Sequence, residues 1–307
     1  MRKLRSVLAG AVTAACFSGG AMADDLVIGV MFKPNTIDPH IHFISGSHQA
    51  FHHIWETLIR QDPKHNLKPG LATSWGFLDD TTWEIKLREG VKFHDGSPFT
   101  ADDVMANVER AQTPLPGNVS SSLRLLIQGG KEWKKIDDFT LQITTPEPFP
   151  QVPRDISVTH LVSDEHGKGA VTADYETGKV AIGTGPYQYV EYLRGDHVKY
   201  KANPNWWRGK PKWDNVTLKI IESNPARVAA LLSGSVDMID NVPPQDVPKL
   251  DNNADINFFP GAPGRLIYFR VDVSKDITPM IKANDGSELW PNPMLNYKVR
   301  KAISKAI

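Results

Sequence analysis

The chain has 307 residues, with 35 basic and 35 acidic side chains, so its formal net charge is zero. One cysteine, Cys16, excludes an intrachain disulfide, and the lack of a basic excess argues against nucleic acid as a partner, because phosphates need cations to neutralise them. The length suggests about two domains.

The first residues are organised as a secretory signal: Arg2, Lys3 and Arg5, an apolar run from Leu8 to Phe17, and the small-residue cleavage site Ala21-Met22-Ala23. The run is too short to span a bilayer. Cleavage after Ala23 leaves 284 residues without cysteine, 32 basic against 35 acidic, a net charge of −3. Thr13 stands where a lipid-attachment motif before Cys16 needs Leu, so lipid anchoring is not expected. The destination is the periplasm.

Leu26 to Phe32 is nearly continuously apolar, the mark of a strand buried on both faces. The loop Lys33–Pro39 follows, and chain just past the end of such a strand is a common ligand position in α/β folds. Ser45 to Arg60 has helical apolar spacing through Phe51, Ile54, Trp55, Leu58 and Ile59. His40, His42, His48, His52 and His53 crowd this region. Imidazole suits Ni, Cu and Zn, but no cysteine is available and the spacing matches no closed site, so surface or interface histidines and no metal are expected, with contact to an organic ligand as the alternative. Ala72 and Trp75 are expected to pack behind the opening strand.

From Trp83 to Leu87 apolar and charged residues alternate as in a half-buried strand. Turns at Glu89-Gly90 and His94-Asp95-Gly96 lead to Thr100-Ala-Asp-Asp103, spaced as a capping box for a helix from Ala101 to about Ala111. Thr113 to Gly130 reads as loop around a short Leu123–Ile127 element. Lys131–Asp138 and Phe139–Thr145 read as a hairpin, Tyr187–Tyr192 and His197–Lys201 as a second. Val216–Ile221, a helix opened by Asn224-Pro225 and closed by Gly234, and Val236–Ile239 form a strand–helix–strand unit. A helix in Pro243–Leu250, strands at Ile256–Phe259 and Arg265–Val271, and a helix in Pro293–Ile307 complete the chain. There is no G-x-S-x-G and no H-E-x-x-H. The paired acids Asp79-Asp80 and Asp102-Asp103 fit turn and helix-dipole roles better than catalysis.

Six stretches carry a resemblance. They are R-E-G-V-K-F-H-D-G-S-P-F-T-A-D-D-V (88–104), Leu67–Trp75, G-T-G-P-Y (183–187), Asn203–Pro211, Ile221–Asp237 and Pro293–Ile307. Together they resemble family 5 extracellular solute-binding proteins, the peptide-, nickel- and opine-binding components of ABC importers. The resemblance implies an α/β fold of the type II periplasmic-binding-protein kind, with two lobes and an extra subdomain. Lobe I would comprise residues 24–60 and 183–264, its accessory subdomain 61–182, and the start of an incomplete lobe II 265–307. It implies the N-terminal part of a longer protein, monomeric when complete, that binds a di- or oligopeptide without cofactor or catalysis and hands it to inner-membrane permease subunits. A sensory or docking protein, or a carrier of an opine, sugar or nickel chelate, is the alternative. Ligand termini would meet charged residues mostly beyond Ile307. The first-lobe wall is expected from Phe32, Lys33, Asn35 and Thr36, from Ser120 and Ser122, and from Arg265 and Tyr268. The Trp83–Val104 stretch is expected to be scaffold away from the ligand.

Overall fold

The computed structural model describes residues 24–41, 45–112, 121–261 and 268–306. The expected signal sequence, His42, Ser120 and Arg265 lie outside them. The chain divides into two compact units, one ending at Pro260 and one beginning at Gly261.

The first unit has two hydrophobic cores. One belongs to a five-stranded mixed sheet made of β1 (Asp25–Val30), β8 (Tyr187–Leu193), β9 (His197–Ala202), β10 (Asn215–Ile220) and β11 (Met238–Ile239), in the order β11-β1-β10-β9-β8. β1 pairs in parallel with both β10 and β11, whereas β10-β9 and β9-β8 are antiparallel. Helix α7 (Asn224–Leu232) connects β10 to β11. Helix α1 (Ser45–Ile54) supplies Phe51 and Ile54, which join Val30, Ile37, Trp55 and Tyr200 in this core. β1 lies inside the sheet, but where burial on both faces was expected only Gly29 and Val30 are buried.

The other core belongs to an antiparallel sheet of β4 (Ala72–Phe77), β5 (Thr82–Leu87), β7 (Thr140–Thr144) and β6 (Glu132–Asp137), in that order, with α2 (Ala101–Gln112) and α3 (Arg124–Ile127) beside it. A short hairpin, β2 (Ile59–Gln61) with β3 (Leu67–Pro69), leads into it. Ala72 and Trp75 belong to this second core and not to the packing behind β1. Short helices α4 (Val152–Ile156), α5 (Asp164–Gly167) and α6 (Thr172–Glu176), absent from the periodicity reading, lie in the segment that returns to the first sheet.

The 88–104 stretch folds as its turn chemistry dictates. Gly90 and Gly96 take φ of 75° and 93°, backbone that residues with a Cβ resist. Asp95 accepts bonds from the backbone and hydroxyl of Ser97 (3.0 and 2.7 Å). Thr100 Oγ1 accepts from the Asp102 amide, and the Asp103 carboxylate returns to the Thr100 amide at 2.9 Å. Asp103 also accepts from the Asp164 amide at 2.9 Å, so one carboxylate caps α2 and anchors α5. Asp103→Ala strands two amides, at a cost of about 2 kcal/mol. A thermal melt should show a drop of about 5 °C; an unchanged midpoint would assign those amides other acceptors.

α1 ends at Ile54, five residues before the apolar periodicity does. The Ile54 carbonyl accepts from the Gly185 amide at 2.9 Å, so the G-T-G-P loop docks on the helix end, and Leu58 and Ile59 pass to the second core. Asn224 was expected to cap α7; Ser223 takes that position, and the Asn224 side chain instead accepts from Arg227. The expected strand at Ile256–Phe259 is irregular: among the described residues no strand pairs with it to satisfy its amides.

In the second unit, Asn292 donates to the Asp272 and Lys275 carbonyls (2.9 and 3.1 Å) and accepts from the Met294 amide. A 3-10 turn at Pro293–Leu295 precedes α9 (Tyr297–Ala306). The strand expected through Val271 is not formed over residues 268–271, and Tyr268 and Phe269 are exposed. Among the described residues no helix is long and apolar enough to cross a membrane.

Candidate ligand-binding site

Chain leaving the carboxyl ends of parallel strands is where α/β folds place ligands. Here β11, β1 and β10 end side by side. The Met31 amide, one residue beyond β1, donates to Asp240 Oδ1 at 2.8 Å, and Asp240 itself follows β11 directly. Gln49 of α1 donates to the other carboxylate oxygen, also at 2.8 Å, while its own Oε1 is buried and makes no hydrogen bond among the described residues.

Beneath this crest lies Arg227 of α7, fully buried. Its guanidinium donates to the carbonyls of Ile221 (2.8 Å), Asp240 (3.1 Å) and Asn241 (2.9 Å) and to Asn224 Oδ1 (2.7 Å). It lies 3.7 Å from Asp240 Oδ1. One cation therefore ties the ends of β10 and β11 and offsets the Asp240 charge. Asn241 holds φ at 47°, which sets the turn after Asp240. Arg227→Met leaves several buried acceptors empty and Asp240 without its cation, a loss of about 3 kcal/mol or more. Urea unfolding should report it as a lower midpoint at unchanged slope.

The loop after β1 forms the next wall. Thr36 Oγ1 accepts from the Asp38 amide (3.0 Å), and Asp38 accepts from the His40 amide (3.0 Å) and the Thr172 hydroxyl (3.2 Å). Burial raises the Asp38 pKa against the pull of its other partners, among them Arg110 at 3.5 Å. Ile41 bridges Ser121, and the Ser122 hydroxyl donates to the Pro39 carbonyl at 3.3 Å. The fold thus brings the post-β1 loop and the 121–122 segment together, with the hydroxyls of Thr36 and Ser122 buried and engaged in local bonds. Phe32 is half-buried beside α1, where a Cβ on Gly46 would come within 2.8 Å of Phe32 Cβ. Lys33 is exposed and pairs with Glu222 at 3.2 Å. Asn35 is exposed, and its carbonyl accepts from Arg194. Tyr268 is exposed in the second unit.

Asp240, Gln49 and Arg227 escaped sequence reasoning. The signal was available for Asp240, since the strand-end rule applied to β1 holds equally for β11. The histidines expected at the surface divide: His40 is fully buried, His48 and His53 are half-buried, and His52 keeps solvent exposure. Of the tryptophan pair, Trp207 donates to Glu56 at 2.7 Å and lies under the Arg88 guanidinium. His94 of the 88–104 stretch bonds both Gly183 and Gly185, so the stretch also clasps the loop that returns to the first sheet.

Residues 66–307 match the family described as bacterial extracellular solute-binding proteins, family 5 Middle. Glutathione-binding protein GsiB of Escherichia coli K12 is 29% identical over 98% of this chain, and the chain spans 55% of that protein's length. Among solved structures, NikZ from Campylobacter jejuni in complex with Ni(L-His) aligns with a TM-score of 0.65 at 25% identity, over 76% of this chain and 46% of that one. The oligopeptide-binding protein AppA of Bacillus subtilis, in complex with a nonapeptide, aligns with a TM-score of 0.63 at 26% identity, over 74% and 46%. This chain belongs to the family 5 bacterial extracellular solute-binding proteins, whose solved members have the type II α/β binding-protein fold.

Proposed function

We propose that the protein is the solute-binding component of an ABC importer, secreted to the periplasm with its signal cleaved after Ala23, and that its cargo is a di- or oligopeptide. The observation that carries this is the crest at the ends of β1, β10 and β11, held from below by Arg227 and carrying Asp240 and Gln49, in a chain of this family. The relatives GsiB and AppA, which bind glutathione and a nonapeptide, point to short peptides. Half-buried Phe32 and exposed Lys33 and Asn35 supply contacts, while Thr36 and Ser122 hold the wall from behind. Ser120, Arg265 and Tyr268 complete the set. Bound ligand shifts the protein toward its closed form, which the permease subunits receive; no catalysis is involved.

Native mass spectrometry of the complete protein purified from its host should show a co-purified peptide, and a thermal-shift screen should give upward shifts of several degrees with short peptides. Shifts confined to sugars, opines or metal chelates would replace the peptide assignment. A screen silent to every solute would overturn the transport reading.

A further inference from the structure

The imidazoles of His48, His52 and His160 converge although His160 is 108 residues from His52 in sequence. His48 and His52 stand one turn apart on α1, so they share a face. One ring nitrogen from each of the three lies within 4.8 Å of the others. The His52 Nδ1 and His160 Nε2 atoms are 3.1 Å apart, close to the separation of about 3.3 Å that two nitrogens take on one tetrahedral ion at the usual zinc–nitrogen distance. His48, whose nitrogen lies within 4.8 Å of both, closes onto a common ion by side-chain rotation.

The backbone of His160 is clamped. Thr57 pairs with it as an isolated bridge, its carbonyl accepts from His40 Nε2 at 3.0 Å, and the next amide, Leu161, donates to the Glu56 carbonyl at 3.0 Å. Such fixing is what outer partners of metal ligands provide. In the free protein one proton is shared between His52 Nδ1 and His160 Nε2. A cation in its place leaves the proton of His160 on Nδ1, which makes no hydrogen bond among the described residues. His48 and His52 also line a recess of about 470 Å³, with Glu56, Gln61 and Trp206 among its other walls and none of the crest residues. The recess leaves room for the open coordination position of a three-ligand site.

We infer that His48, His52 and His160 form a binding site for a borderline divalent transition-metal ion of the Zn, Ni, Cu and Co class, with a fourth position open to the recess. Imidazole donors exclude Ca and Mg. The inference stands on this cluster alone and does not depend on the peptide reading.

The test is calorimetric titration of the full chain, carrying no polyhistidine tag, with zinc chloride and separately nickel chloride, in the absence of peptide. One ion per chain is expected. His48→Ala and His52→Ala should each weaken it by about 100-fold while the metal-free melting temperature stays within a few degrees, because neither ring is fully buried. His166→Ala, in the separate Asp95–Glu165–His166 cluster, should leave the affinity unchanged. Cobalt chloride should give visible absorption bands that His52→Ala abolishes. Absence of saturable binding, binding that survives both His48→Ala and His52→Ala, or equal competition by magnesium would each overturn the assignment and leave an aromatic packing cluster only.

Discussion

Acidification from pH 7 to pH 5 should cost this protein on the order of 5 kcal/mol, well before ordinary carboxylates titrate. Desolvation lowers the pKa of His40 to about 3 and those of His48, His53 and His94 to about 4, and it holds His160 well below its ordinary value. In the unfolded chain these side chains bind protons near pH 6.5. The unfolded state therefore takes up protons that the native state refuses. Stability is fully present above about pH 6.5 and is lost as pH falls toward the folded values, at up to about 1.4 kcal/mol per pH unit for each histidine. Asp38, Glu56 and Asp103 act in the opposite sense. Burial raises their pKa values, so the native state holds their protons more tightly and they favour folding as pH falls. Five histidines outnumber three carboxyls in this window, and at each carboxyl hydrogen bonds or a nearby cation oppose the burial that raises its pKa.

Thermal melts at half-unit pH steps will show the effect as a midpoint that declines from pH 6.5 downward. His94→Gln should flatten part of the slope. In the native protein His94 Nδ1 accepts from the Gly183 amide and Nε2 donates to the Gly185 carbonyl; protonation destroys the first of these bonds. A midpoint constant between pH 7 and pH 5 would show that these rings are hydrated and not buried.

Gly183→Ala should be the most damaging single-methyl addition in the first unit. An added Cβ would stand 2.0 Å from the Ile54 carbonyl oxygen, 2.7 Å from its carbon and 2.9 Å from Trp55 Cδ1. Two of these are backbone atoms at the end of α1, so no rotamer change relieves the clash. The loop would have to retreat by more than an ångström, releasing the Gly185–Ile54 bond and the bond from Trp55 Nε1 to the Ile182 carbonyl. Trp55 is fully buried, so the retreat also opens the first core. Overpacking of this kind costs about 3 kcal/mol or more, a fall of about 10 °C in a domain of this size. Gly76→Ala is the control. Nothing lies within 4 Å of its Cβ position, so the substitution should be neutral or slightly stabilising. Equal midpoints for the two variants would mean that the G-T-G-P loop is not seated on the helix end.

Much of the fold was legible because it follows from local rules. The strand at Thr82–Leu87, the glycine turns after it, the capped helix from Ala101, both hairpins and the β10-α7-β11 unit are set by period, cap and turn chemistry. These act over a few residues and do not depend on what packs alongside. The six motif stretches identified the family for the same reason, since they are compact runs of such signals.

What failed locally depended on partners distant in sequence. The periodicity of α1 continues to Ile59, yet the helix stops at Ile54 because a loop 130 residues later bonds its last carbonyl. Ala72 and Trp75 have the composition of either core, and only sheet pairing assigned them to the second. Apolar runs at 256–259 and 268–271 have strand composition, but a strand without a neighbour has no ladder. The candidate site divides in the same way. The loop after β1 is visible in sequence as chain beyond a buried strand. Asp240 becomes its partner only when β11 is laid beside β1. His48 and His52 are a visible helical pair, whereas His160 becomes the third member only through its bridge to Thr57. Sequence alone determined the family, most of the elements and one wall of the candidate site, because short-range backbone chemistry encodes them. The tertiary structure decided which side chains meet, because contacts between residues a hundred or more positions apart leave no periodic trace in either segment.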